Sequence, residues 1–211
     1  MSAPPPAAAS GPAGDEAPLA AVLVRHAETE WSLSGRHTGR TDIPLTAAGR
    51  EAARSIAPRL SAWSFGLVLV SPSRRARETC ELCGLGDRAR VDEDLLEWDY
   101  GDYEGLTSRQ IHELRPDWVL WRDGCPGGEL PEQVGARADR VIASLSQGPA
   151  PAVIFSHGHL LRVLGARWIS LPAGEGGRLA LSTAALSTLG HERATAVISR
   201  WNDTGAASAT P

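Results

Sequence analysis

Three short runs, residues 19–24, 67–70 and 152–155, are almost wholly apolar and rich in β-branched side chains. A half-exposed strand alternates apolar with polar; unbroken runs of this length read as strands of a parallel sheet covered on both faces. Each run stops at a polar cluster: Arg25-His26 after the first, Ser71-Pro72 with Arg74, Arg75 and Arg77 after the second, and Ser156-His157-Gly158-His159 after the third. The carboxyl ends of parallel strands gather at one crevice where ligands bind, so the three clusters are expected to converge.

Between the runs the apolar spacing becomes helical. Thr46 is placed to cap a helix reaching about Leu60, and residues 73–83 put Ala76, Thr79, Cys80 and Cys83 on one face. Thr107 caps a further helix that Pro116 limits. Pro131 suits a first helical turn, with Val134, Ala138, Val141, Ile142 and Leu145 following at helical spacing up to Gln147-Gly148. A helix over 160–168 follows the third strand. Residues 185–189 and 194–199 flank a Gly-His-Glu-Arg turn and predict a hairpin on the sheet edge. Such an edge could pair with a copy of itself as a homodimer.

A chain of 211 residues suits one domain, placed at 19–203, with the Pro/Ala-rich stretch 1–18 expected as a disordered tail and 204–211 as a flexible one. Its 42% hydrophobic content and seven tryptophans supply a core, and no apolar stretch approaches the roughly 20 residues of a membrane span. Residues 1–18 lack the basic start and apolar run of a secretory signal. A net charge of −4 and a pI near 5.9 give no general attraction to nucleic acid or to an anionic membrane, but leave room for a small anionic substrate. Three cysteines predict buried thiols in a reducing cytoplasm rather than a disulfide framework, and the Cys80–Cys83 pair lacks the second ligand pair of a zinc site. All 21 basic residues are arginine. The absence of lysine excludes Schiff-base chemistry and the lysine-bearing P-loop, so any anion site must use arginine, histidine and backbone amides.

Arg25, Arg75 and Arg162 each follow one of the three strands closely, and a guanidinium matches phosphate oxygens with paired hydrogen bonds. His26 and His157 stand at two of the same strand ends, beside those charges. A phosphate pocket with a nucleophilic imidazole is the chemistry these residue types can support.

The motifs resemble those of the histidine phosphatase superfamily. Leu23-Val24-Arg25-His26-Ala27-Glu28-Thr29 is similar to its RHGxT signature, with Ala27 for the usual glycine. Thr38-Gly39-Arg40-Thr41-Asp42 looks like its substrate loop, and Ser71-Pro72-Ser73-Arg74-Arg75-Ala76-Arg77-Glu78-Thr79 resembles SPxxRAxxT. The stretch from Leu96 to Gly105 is similar to LxExxxGxxEG, and Ser156-His157-Gly158-His159-Leu160-Leu161-Arg162 to HGxxxR. Segments including Glu30-Trp31-Ser32 and Trp121-Arg122-Asp123-Gly124-Cys125 look like those of acid-phosphatase and sugar-bisphosphatase members.

The resemblance implies an α/β fold, a three-layer α/β/α sandwich with a mostly parallel sheet, phosphoglycerate-mutase-like. It implies a phosphatase acting on a small phosphomonoester without metal or other cofactor. His26 would be the nucleophile, Arg25, Arg75 and His157 the clamp, and Glu97 the proton donor, with Asp99 and Glu104 as fallback acids. Thr29, His37, Thr38, Gly39, Tyr100, Gly158 and His159 are the substrate-side candidates, and Trp98 could wall the site. A carboxyl beside bound phosphate keeps its proton, so activity is expected to peak at acidic to neutral pH. Three other readings are open at this point. A mutase would use the same nucleophile, but family mutases carry a longer basic insertion where residues 104–128 here are short and lysine-free. A metallohydrolase would use His157 and His159, and a non-catalytic member would bind phosphate only.

Overall fold

The computed structural model describes residues 19–205, so the expected tail at 1–18 and residues 206–211 lie outside the described residues. In chain order the main elements are β1 (Leu19–Arg25), α1 (Glu30–Ser34), α2 (Ala47–Leu60), β2 (Leu67–Val70), α3 (Arg74–Leu82), β3 (Arg90–Val91), α4 (Ser108–Leu114), α5 (Leu120–Asp123), α6 (Pro131–Gln147), β4 (Ala152–Ser156), α7 (Gly158–Trp168), β5 (Leu186–Glu192) and β6 (Thr195–Asp203). They build one six-stranded sheet in the order β3-β2-β4-β1-β5-β6. The four strands from β3 to β1 pair in parallel, while β5 runs antiparallel to β1 and β6 antiparallel to β5. Among the described residues no helix is long and apolar enough to cross a membrane.

The apolar runs are unbroken because both faces of the sheet are covered. Side chains alternate along a strand, so Val22, Val24, Val68, Val70, Val153 and Phe155 pack with Ile56 and Leu60 of α2 and Ala76 and Cys80 of α3. The intervening Ala21, Leu23, Leu69, Ala152 and Ile154 pack with Val134, Ala138, Val141 and Leu145 of α6 and Leu160, Leu161 and Leu164 of α7. Each fully buried valine or leucine contributes about 1.5–3 kcal/mol relative to exposure. The result is the expected three-layer arrangement with a mostly parallel sheet.

Thr46 caps α2, its hydroxyl accepting from the Gly49 amide at 2.9 Å. The same hydroxyl donates to Glu28 Oε1 at 2.7 Å, and the Thr46 amide donates to the Glu28 carbonyl at 3.0 Å. Gly49 lets this contact close, since a Cβ there would stand 2.3 Å from the Glu28 carbonyl oxygen. On the other side, the Ala27 amide donates to Thr79 Oγ1 of α3 at 3.1 Å. Thus the two helices on one face of the sheet grip the loop that follows β1.

Some boundaries differ from the sequence expectation. Helix α7 begins at Gly158 rather than at Leu160, which brings the amides of His159 and Leu160 into its first turn. Strand β5 runs through Glu192, so the hairpin turn is the pair Arg193-Ala194, with Arg193 at φ 55°. The short α1 and α5 and the two-residue β3 carry no periodic signal and were not anticipated. Trp118 and Trp168 are buried in the core, and Cys80, Cys83 and Cys125 are free, buried thiols that burial pushes up to about 12.

Candidate active site

The strand order places β2, β4 and β1 side by side, so their carboxyl ends are neighbours. Backbone bonds continue past them: the His26 amide donates to the Ser156 carbonyl at 2.8 Å, and the Ser71 amide to the Phe155 carbonyl at 2.9 Å. His26 and His157 therefore lie together, with ring centres 5.2 Å apart. The three polar clusters converge as expected.

A cavity of about 220 Å³ opens beside them. Arg25, His26, His37, Glu97, Tyr100 and His159 line it, with Thr38 and Gly158 also on its wall. Its charged lining is three arginines, Arg25, Arg36 and Arg162, against the one carboxylate of Glu97. Such a balance attracts an anion.

His26 Nδ1 lies 2.8 Å from the Ala27 carbonyl, which can only accept, so the proton sits on Nδ1. Burial first, then the charges of Arg75 and Arg25, hold this imidazole well below the ordinary histidine range. It is neutral, and Nε2 carries the lone pair. His157 is fixed in the other tautomer. Arg75 Nε donates to its Nδ1 at 3.1 Å, leaving the proton on Nε2, which donates to Ser71 Oγ at 2.8 Å. Burial and Arg75 keep this ring well below its usual range too, so His157 is neutral.

The two arginines of the expected clamp differ in freedom. Arg75 is fully buried and donates four hydrogen bonds: to His157, and to the carbonyls of Thr38, Gly39 and Thr41 at 3.0–3.1 Å. One of the five N–H groups of a guanidinium remains, and neither Arg75 nor His157 lines the cavity. Arg25, by contrast, makes one side-chain bond among the described residues, from Nη1 to the Leu181 carbonyl, and its buried Nε has no partner. Gly158 makes room for it, since a Cβ there would come 3.2 Å from the guanidinium carbon. Arg162 lines the cavity but lies 4.4 Å over the Trp121 ring, with Nε and Nη2 bound to the carbonyls of Gly176 and Gly177.

Glu97 is 6% exposed and sits at the start of α7. Its Oε1 accepts from the amides of Trp98 and Leu160 at 3.0 and 2.8 Å, and Oε2 from the His159 amide at 3.0 Å. One acceptor position of Oε2 is left for the cavity side. Neither fallback acid lines the cavity. Asp99 pairs with Arg40 at 3.1 Å, and Glu104 binds the amides of Gly39 and Thr41 at 3.0 Å.

Two substrate-side candidates are engaged elsewhere. The Thr29 hydroxyl accepts from the Ser32 amide and caps α1, and the Gly39 amide, expected as a substrate donor, is taken by Glu104. Trp98 is fully buried behind the site, edge-on to Trp121 at 5.7 Å, and does not wall the cavity. Arg36 and the Leu181 carbonyl were missed. Arg36 directly precedes the substrate-side candidate His37 and was readable there, whereas Leu181 lies outside every motif. Among the described residues no three His, Cys, Asp or Glu side chains form a metal-holding group.

Four imidazoles, the buried ones of His26, His37 and His157 and the half-buried one of His159, are held below their ordinary value chiefly by desolvation. Unfolded, each takes up a proton near pH 6.5, so below that pH the unfolded chain binds more protons and stability falls on acidification, by up to about 1.4 kcal/mol per pH unit for each ring. The melting temperature is expected to drop steeply from pH 6.5 to 5. A flat dependence over that interval in calorimetry would contradict the neutral burial of these rings.

A sequence profile of the histidine phosphatase superfamily (branch 1) matches residues 21–204. An acid phosphatase of Mycobacterium tuberculosis is 45% identical over 175 residues, covering 81% of this chain and 86% of that protein. A sedoheptulose 1,7-bisphosphatase of Saccharomyces cerevisiae is 40% identical over 182 residues, covering 71% and 67%. The solved structure of an open reading frame product of Mycobacterium tuberculosis superposes with a TM-score of 0.82 at 41% identity, covering 88% of this chain and 97% of that one. The fold is thus phosphoglycerate-mutase-like, and with the profile spanning almost all described residues, the chain belongs to branch 1 of the histidine phosphatase superfamily.

Proposed function

We propose that this protein is a phosphatase that hydrolyses a small phosphomonoester, of a sugar or similar metabolite, through a phosphohistidine at His26. The observation that carries the reading is the bare Nε2 of a neutral, buried His26 in a cavity with three arginines and one carboxylate. In the first step Nε2 attacks phosphorus as the ester P–O bond breaks, and protonated Glu97 gives its proton to the departing alkoxide. In the second, Glu97 takes a proton from water whose oxygen attacks phosphorus. The P–N bond then breaks, inorganic phosphate leaves and Glu97 is protonated again.

Arg25, with its uncommitted donors, grips the equatorial oxygens. Arg75 holds His157, while its carbonyl bonds fix the loop from Thr38 to Thr41. The relatives at 40% identity or more have phosphatase names and those named as probable phosphoglycerate mutases stand at 32–33%, which supports hydrolysis over transfer back to product. No step here requires a metal.

Quenching a reaction with ³²P-labelled monoester in alkali is expected to leave about one acid-labile, alkali-stable label per chain, with phosphate release persisting in a chelator. Absence of label in rapidly quenched samples that release phosphate defeats the covalent mechanism. Isomerised ester in place of free phosphate identifies a mutase.

A further inference from the structure

His37 and His159 lie as nearly parallel rings on the cavity wall, 6.1 Å between centres and 14° apart. Each is held through Nδ1, but by partners of different kind. His37 Nδ1 lies 2.8 Å from the Leu106 carbonyl oxygen, which only accepts, so Nδ1 carries the proton and Nε2 is an acceptor. His159 Nδ1 is bonded to the Tyr100 hydroxyl. Tyr100 is 2% exposed, and among the described residues its hydroxyl has no other hydrogen bond. Were His159 the donor, the phenol proton, on a side chain only 2% exposed, would have no acceptor among the described residues and bear much of its desolvation cost. With Tyr100 donating, the phenol proton has its acceptor and the His159 proton sits on Nε2.

Neither Nε2 has a protein partner, yet the one unpartnered buried side-chain nitrogen or oxygen among the described residues is Arg25 Nε. Both therefore open onto the cavity they line, one as acceptor and one as donor. Phosphate and carbonyl oxygens only accept, and aryl carbons do neither. A hydroxyl gives one proton and receives another at a single oxygen.

The geometry points to His37 and His159 as a matched acceptor and donor that read hydroxyl groups on the alcohol side of the substrate, with Tyr100 as the positioning residue that fixes the His159 proton on Nε2. This rests on the phosphatase reading and narrows it to polyol monoesters.

Glycerol 1-phosphate and propyl phosphate share a three-carbon chain and differ in two hydroxyls. The wild-type protein is expected to favour the first by at least about tenfold in kcat/KM, since a site built to bond a hydroxyl rejects the analogue lacking it. Tyr100→Phe and His37→Phe should each bring that ratio towards one, an outcome that a general loss of structure, equal for both esters, would not produce. Nitrogen-15 NMR of the unmodified protein gives a test independent of variants: His37 protonated on Nδ1 and His159 on Nε2 are expected. A wild-type ratio near one, ratios unchanged in both variants, or His159 protonated on Nδ1 overturns the inference while leaving the phosphatase reading intact. No phosphate from glycerol 1-phosphate overturns the inference, and no phosphate from sugar monoesters as well overturns both.

Discussion

His26→Ala is expected to lower kcat/KM by at least about a thousandfold, the scale on which covalent enzymes respond to loss of their nucleophile. The arginines and Glu97 would remain, so substrate would still bind, but nothing would accept the phosphoryl group. The ring makes one side-chain hydrogen bond, to its neighbour's carbonyl, and the loop is gripped independently through Glu28 and the Ala27 amide. The variant should therefore fold, which its circular dichroism spectrum will show. Folded protein with activity within tenfold of wild type would remove His26 from the chemistry, and the phosphohistidine with it.

Glu97→Gln separates the two proton transfers. A glutamine can keep its oxygen where Oε1 accepts two amides, but its NH₂ group would then face the His159 amide, at a cost of about 1–3 kcal/mol for the lost acceptor. With an alkyl ester the first step needs the acid, and turnover should fall by about 10²–10⁴. A 4-nitrophenyl ester departs without protonation, so phosphorylation of His26 proceeds while hydrolysis, lacking its base, stalls. One equivalent of nitrophenol should appear as a burst before a slow steady state. Equal losses on both esters, with no burst, would show that Glu97 supports α7 and moves no proton.

The framework was legible because its signals are local. Unbroken apolar runs marked the three central strands, and Thr46, Thr107 and Pro131 marked helix starts that fall within a residue of those observed. The motif residues at the strand ends do converge, since a parallel sheet leaves them no other place. What the motifs did not convey is how each donor is spent. That Arg75 is held by three carbonyls of the Thr38–Thr41 loop, that Glu104 takes the Gly39 amide, and that Thr29 caps a five-residue helix depend on where distant backbone groups arrive. The tautomers of His26 and His157 were hidden for the same reason, being set by a carbonyl and by a guanidinium rather than by the histidines themselves.

The bond from Arg25 to the Leu181 carbonyl joins positions 156 residues apart, and Leu181 leads into the hairpin that completes the sheet beside β1. A growing polypeptide that has emerged only through α7 already owns every signature residue, yet its most available guanidinium still lacks its tether. Catalytic competence should consequently arrive late in synthesis, with the closing strands, so that incomplete products left by interrupted translation stay inert towards the cell's phosphate esters.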